Sequence, residues 1–260
     1  MCPHARHGLH WCDCVTEPLP DVPILIAHRG YAARFPENTL LALAAAVDAG
    51  ARHVEIDVLL SADGVPVLFH DRDCGRLCGM PGAIHDYPLD ALRAMSSYAP
   101  DRFGERYRGT RIPTLAEFAA WLGRHPDVTA FVEIKRQAVE QFGCAGVLAA
   151  VSQALAPVRA QTILISFSLA VLAAARPSWP RIGVVVDRLA ELDEAAVSAL
   201  PCEIAFCDIA GLPPAGPFVL RQSLAVYEVD DAATARSLAA RGATYIETFA
   251  IGELSQALRS

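Results

Sequence analysis

Eight short apolar, β-branched runs, separated by longer alanine- and leucine-rich stretches, constrain the fold of this sequence more than any other feature. The runs are residues 24–27, 53–59, 129–134, 161–166, 181–186, 203–207, 224–229 and 244–248. Each is nearly continuous in its apolar character, as expected of a parallel strand covered on both faces. Helical patterns fall at residues 38–49, 114–124, 137–155, 168–176, 189–199 and 231–241, and a last one at 252–259. Strand and helix in alternation predict an α/β fold, a (β/α)8 TIM barrel. A doubly wound open sheet is the competing architecture, and it would not need eight strands. With 260 residues, 53% of them hydrophobic, the chain can bury the core a barrel requires.

Two places break the rhythm. Residues 60–113 hold an extra apolar run, Val65–Phe69, which predicts a strand paired near the second barrel strand. A Gly-, Pro- and Tyr-rich excursion follows it and predicts an inserted small lobe over 71–113. Residues 208–223 contain too many Pro and Gly for a full helix, so the sixth crossover is expected to be irregular. Helix punctuation supports the remaining assignments. Asn38 is the expected cap of the first helix, with Gly50 at its stop; Thr114 with Glu117 has capping-box spacing; Asp230 or Asp231 can cap the helix that ends at Gly242.

The barrel is assigned to residues 21–260 and a Cys/His-rich tail to residues 1–20. Cys2, His4, His7, His10, Cys12 and Cys14 lack the paired spacing of a zinc finger, so we read that segment as a mobile tail rather than a soft-metal site. It has no apolar core segment of a secretory signal, and no apolar run approaches the roughly 20 residues of a membrane span. The expectation is a cytoplasmic protein whose cysteines are thiols, with no stable membrane insertion. Cys74 and Cys78 fall in the inserted lobe, whereas Cys144, Cys202 and Cys207 fit buried helix or strand faces. Asp and Glu total 29 against 22 Lys and Arg, a net charge of −7 that argues against a nucleic-acid partner.

In a barrel, functional residues stand where strands finish. Those ends here carry His28-Arg29, Glu55-Ile56-Asp57, His70-Asp71 on the added strand, Glu133-Ile134-Lys135, Ser166, Asp187, Asp208 and Glu228. Glu55 and Asp57 are two apart and so share the inward face, where two anions are costly to bury. With Glu133 they make an oxygen ligand set for a hard divalent cation, Mg²⁺ or Ca²⁺, in preference to Zn²⁺. His28 and His70 have the chemistry of a base and an acid on opposite sides of one reaction. Arg29 and Lys135 either neutralise the carboxylates or hold a phosphate, Arg29 through its planar fork and Lys135 as a point charge. Gly30 is expected to turn the chain away without crowding that phosphate. Glu37 has no evident place.

The series HRG, PENT, VEIDVLLSADGVPVLFHD, PTLAEF and VEIK resembles the glycerophosphodiester phosphodiesterase family in order and spacing, over residues 24 to about 250. The resemblance implies a TIM barrel with a small insertion after the second strand. It also implies metal-dependent hydrolysis of glycerophosphodiesters to sn-glycerol 3-phosphate and an alcohol. By it, Glu55, Asp57 and Glu133 are metal ligands, His28 and His70 the acid/base pair, and Arg29 and Lys135 phosphate ligands. We assign His70 as leaving-group acid and His28 as base; the nucleophile is water or the neighbouring glycerol hydroxyl.

The chain departs from the family in two places. Tyr227-Glu228-Val229-Asp230 stands where an aromatic-Thr-Val-Asn run is common, and Thr248-Phe249 where a Thr-Asp pair is common. Both bear on substrate choice, and Tyr227 with Glu228 could face a cationic alcohol such as choline or ethanolamine, unless Glu228 pairs with a rim arginine. Two further readings keep the same residues: the same chemistry on a sugar phosphodiester or a lysophospholipid, or a non-catalytic phosphodiester-binding protein.

Overall fold

A computed structural model describes residues 22–260. The Cys/His-rich cluster therefore lies outside the described residues. In chain order the elements are β1 (Ile24–Ala27), α1 (Leu40–Asp48), β2 (His53–Leu60), β3 (Pro66–Leu68), α2 (Gly75–Cys78), α3 (Leu89–Ala94), α4 (Pro100–Phe103), α5 (Leu115–Leu122), β4 (Thr129–Ile134), α6 (Arg136–Leu155), β5 (Thr162–Ser166), α7 (Leu169–Ala175), β6 (Ile182–Val186), α8 (Ala195–Ser198), β7 (Ile204–Asp208), β8 (Ser223–Tyr227), α9 (Ala232–Arg241), β9 (Ala243–Thr248) and α10 (Ile251–Arg259). Short 3₁₀ turns fall between several of them.

The sheet runs β1-β9-β8-β7-β6-β5-β4-β2-β3, and β1 also pairs with β2, so β1, β2 and β4 to β9 close into an eight-stranded barrel. All pairings within that ring are parallel, and β3 alone is antiparallel, hairpinned onto β2 through Val58↔Leu68 and Leu60↔Pro66. This is the (β/α)8 fold, and the open-sheet alternative is ruled out by the closing β1–β9 and β1–β2 pairs. The barrel interior is packed with Ile26, Phe131, Ile163, Ile165, Val185 and Phe206. The larger core lies outside the ring, between strands and helices.

Four local expectations change. Residues 189–199 do not make one helix: a 3₁₀ turn, Leu189–Asp193, ends where Glu194 takes extended backbone (ψ 137°), and α8 starts afresh after it. Asn38 is not the first helix's cap. Its φ is +55°, and Thr39 caps α1 by accepting from the Ala42 amide at 3.1 Å. Gly30 does turn through φ +80°, but what it spares is α1: a Cβ there would stand 2.7 Å from the Ala42 carbonyl carbon and 2.8 Å from the Leu43 nitrogen. Cys144 and Cys202 are half-buried, while Cys207 is buried on β7. Elsewhere the punctuation stands: Thr114 and Glu117 form a capping box on α5, and Asp231 caps α9. The sixth crossover contains a single 3₁₀ turn, Ile209–Gly211.

One helix, the continuous run Arg136–Gln161 that includes α6, is long and apolar enough by length and composition to cross a membrane. In the barrel it is the crossover between β4 and β5, interrupted at Gly143 (φ 73°, ψ 153°), with Val147, Val151 and Leu155 buried.

Candidate active site

The inward faces of adjacent strands meet at the carboxyl end of the barrel. Ile26 is in the barrel interior, so His28, two residues on, faces the same way just beyond β1; Phe131 does the same for Glu133 on β4. On β2, Glu55 and Asp57 share that face and both are fully buried. An oxygen from each of Glu55, Asp57 and Glu133 lies within 4.8 Å of the others. The structure thus gathers the predicted carboxylates at one point. A cavity of about 340 Å³ opens beside them, lined on one side by His28, Arg29, Glu55, His70, Glu133 and Lys135. Its other wall is apolar, with Ile165, Phe167, Val185, Phe206 and Tyr227.

The carboxylates are held unequally. Asp57 receives Lys135 Nζ at 3.1 Å on one oxygen and Arg29 Nε at 3.0 Å on the other. Asn38 completes its shell: the amide nitrogen donates to Asp57 at 2.9 Å, and the Asp57 backbone N–H donates to the Asn38 side-chain oxygen at 3.0 Å. Burial opposes ionisation, but Lys135 and Arg29 outweigh it and hold Asp57 well below the usual carboxylate range. Glu55 and Glu133 go the other way. Burial first, and then the charge of Asp57, pushes Glu55 well above its ordinary value; burial also raises Glu133, despite Lys135 at 3.0 Å. Glu55 Oε1 is buried and has no hydrogen-bond partner among the described residues. Crowded, dehydrated oxygens with unused lone pairs fit a divalent cation, and the absence of thiolates fits a hard one.

His28 is buried, donates its backbone N–H to the Thr248 carbonyl at 3.0 Å, and stacks on Phe249 with ring centroids 4.4 Å apart. Burial, followed by the charge of Arg29, pushes its pKa well below the ordinary histidine value, so the ring is neutral at pH 7. His70 faces the cavity from the other side and is a third exposed. Its Nδ1 lies 2.8 Å from Asp71, whose two oxygens accept from Arg76 at 2.6 and 2.9 Å.

Glu37 now has a place. It is buried, accepts from Arg29 Nη1 at 3.0 Å, and accepts from Arg76 at 2.7 and 2.8 Å. Arg29 has φ +55°, which turns its guanidinium back over Asp57 while its backbone N–H donates to Glu55 at 3.2 Å. Lys135 is buried between Asp57 and Glu133 and still lines the cavity. Tyr227 and Glu228 stand at the far rim, Glu228 exposed, with φ +66°, and without an ion pair among the described residues.

Three of the strand-end residues belong neither to the cavity lining nor to the carboxylate cluster. Ser166 donates to the Ile134 carbonyl at 2.6 Å, Asp208 caps the 3₁₀ turn that follows it, and Asp187 lies 3.7 Å from Arg136 on the rim. Two charged cavity residues escaped the sequence reading. Arg76 sits in the irregular excursion, where no periodicity marks it. Glu247 on β9 had a usable signal: Tyr245 is in the barrel interior, so the acid two residues on points the same way.

Similar proteins include the glycerophosphodiester phosphodiesterase of Caldanaerobacter subterraneus, 38% identical over 112 residues, 43% of this chain and 45% of that protein. Glycerophosphodiester phosphodiesterase 1 of Mus musculus is 38% identical over 113 residues, 44% of this chain and 34% of that protein. The matched part thus spans less than half the length of these curated relatives. Among solved structures, a phosphodiesterase of Oleispira antarctica in complex with the product sn-glycerol-3-phosphate is similar at a TM-score of 0.77 and 25% identity, covering 92% of this chain and 98% of that one. The glycerophosphodiester phosphodiesterase of Thermotoga maritima shares the fold at a TM-score of 0.66 and 22% identity, over 90% of this chain and 97% of that one. The two histidines, the carboxylates Glu55, Asp57 and Glu133, and both inner cations all fall within residues 28–202, which match the glycerophosphoryl diester phosphodiesterase family, and the chain belongs to that family.

Proposed function

We propose that this protein hydrolyses glycerophosphodiesters to sn-glycerol 3-phosphate and an alcohol. The observation that carries the reading is the meeting of His28 and His70 in one cavity with a carboxylate cluster and two inner cations, Arg29 and Lys135. Glu55, Asp57 and Glu133 would hold a divalent cation, Mg²⁺ or Ca²⁺. Bound there, it would draw negative charge from the phosphoryl oxygens.

The remaining work falls to the chain. Arg29 and Lys135 stand beside the phosphate position and complement charge that grows in the transition state. His28, kept neutral by burial, can take a proton from the attacking hydroxyl, and Phe249 holds its ring plane. His70, with Nδ1 turned to Asp71, presents Nε2 to the departing alcohol and gives it a proton. The apolar wall of Ile165, Phe167 and Phe206 takes the uncharged part of the substrate and keeps water from the reacting oxygens. Whether the attacking group is water or the glycerol hydroxyl is read by trapping a cyclic phosphate.

The test is release of glycerol 3-phosphate in Mg²⁺ or Ca²⁺. The reading requires that EDTA abolish it and that His28→Ala abolish it; activity surviving both treatments removes the mechanism. A preference for cationic head groups is a second element of the proposal. Tyr227 offers an aromatic face and Glu228 an exposed, unpaired carboxylate at the same rim.

A further inference from the structure

The reaction above leaves one buried acid without work. Glu247 is 3% exposed, lines the cavity, and has a carboxylate oxygen, Oε1, with no hydrogen-bond partner among the described residues. Among the described residues no Lys or Arg nitrogen lies within 4.0 Å of it. The inner cations are gathered on the other flank, where Arg29 and Lys135 serve Asp57 and Glu133. Among the described residues Arg29 acts on Glu247 through its charge, without a contact. One ligand atom each from His28, Glu55 and Glu247 lies within 4.8 Å of the others. All three residues are over nine-tenths buried; among the described residues Glu55 Oε1 and Glu247 Oε1 have no hydrogen-bond partner, and His28 faces Glu55 through Nε2, 3.9 Å from Oε2.

We propose that His28, Glu55 and Glu247 form a second divalent-cation site, adjoining the first and sharing Glu55 with it. The reasons are those of cost and of ligand chemistry. An unpaired buried carboxylate is expensive as an anion, and three buried ligand groups this close to one another recover that cost most directly by binding a cation. The donor set sorts the ion. One imidazole nitrogen with two carboxylates favours a borderline ion over Mg²⁺ or Ca²⁺, and Mn²⁺ accepts both donor types. A carboxylate common to two sites is the usual bridge of paired ions about 3.5–4 Å apart.

The site has a consequence for His28. A neutral imidazole has one lone pair, and it serves either as base or as ligand. His28 therefore carries protons only while the second site is empty, and Mn²⁺ beyond the first equivalent withdraws it from the reaction. This consequence rests on the acid/base role proposed above; the site itself does not.

The experiment uses the full chain and Mn²⁺ alone, without substrate. Bound Mn²⁺ is counted after desalting, and its electron paramagnetic resonance spectrum is recorded, for wild type and Glu247→Gln. The N-terminal Cys and His residues are present in both chains and cancel in the difference. The expected result is one Mn²⁺ fewer per chain in Glu247→Gln, with a spin-coupled spectrum in wild type that the variant lacks. Equal Mn²⁺ content in both chains, or an uncoupled spectrum in wild type, overturns the second site. Loss of all bound Mn²⁺ in Glu247→Gln overturns it too, since it would make Glu247 a ligand of a single ion. Hydrolysis of glycerophosphodiesters with Mg²⁺, assayed separately, stands or falls independently of all three outcomes.

Discussion

Glu37 and Arg76, which are 39 residues apart, are joined by two hydrogen bonds of 2.7 and 2.8 Å. Through them an unbroken line of charge-assisted bonds runs from Arg29 to Glu37, Arg76, Asp71 and His70. The barrel's first loop and its irregular excursion are thereby fixed to one another at the cavity.

Cutting that line at Arg76 tests its role. Arg76→Met leaves Glu37 with only Arg29 and frees Asp71. Because the Arg76 side chain is 40% exposed, the stability loss is discounted to about 1–2 kcal/mol. His70 loses its fixed orientation, so kcat falls by about tenfold or more while KM changes less. Steady-state kinetics and urea unfolding check both numbers, and an unchanged kcat removes Arg76 from the positioning of His70.

Asn38 and Thr39 are neighbours with separable tasks. Thr39→Ala removes the α1 cap, for about 1 kcal/mol, and leaves turnover near wild type. Asn38→Ala removes both hydrogen bonds to Asp57 and places alanine at φ +55°, costing about 2–3 kcal/mol and most of the activity. Thermal unfolding together with turnover tells them apart. Equal effects of the two variants on turnover would contradict the clamp.

Metal and pH are linked through the raised carboxylates. Burial lifts Glu55, Glu133 and Glu247 above their ordinary range. A raised acid favours the folded state while protonated, so this contribution is present below the unfolded value of about 4.3 and is lost as pH rises toward the folded pKa. A divalent cation offsets that loss. The Tm increment on adding Mg²⁺ or Ca²⁺ is therefore larger at pH 8 than at pH 5, read by differential scanning fluorimetry against EDTA controls. An increment independent of pH would place the ion elsewhere.

As the proposed base, His28 is expected to set the acid limb of the rate profile. Its depressed pKa puts the fall in kcat/KM below the ordinary histidine value of about 6.5. Folding follows the same sign: a histidine buried neutral costs stability as pH drops from about 6.5 toward the folded pKa. An acid limb at or above that value would assign it to another group.

Glu228→Gln tests the rim. An exposed charge contact is worth about 0.5–1 kcal/mol, so kcat/KM for choline and ethanolamine diesters falls about two- to fivefold relative to the inositol diester. Unchanged preference removes the idea.

The fold was legible because parallel strands buried on both faces leave apolar runs that no surface element imitates. The inner acids and both histidines were legible because barrel chemistry stands at strand ends and alternation is rigid: Glu55 and Asp57 could only share a face. Asn38 was misread for a physical reason. Asn is both a good cap and a residue that tolerates left-handed backbone, and a local pattern cannot tell the two uses apart. Arg76 carried no signal, since its partners come from the loop before α1 and from Asp71, and nothing periodic connects them. The helix expected over 189–199 failed at Glu194, a turn decision too local for a composition window to register.

The stacking of His28 on Phe249 has a bearing on how the protein comes into being. The two rings are 221 positions apart, brought together because β9 lies against β1. In the order of synthesis His28 therefore precedes the ring that supports it by nearly the whole barrel. Until β9 docks, His28 has neither Phe249 nor the Thr248 carbonyl to fix it. Closing the barrel by docking β9 on β1 is a contact of long sequence separation, of the kind that forms late in folding, and it is this step that completes the surroundings of His28.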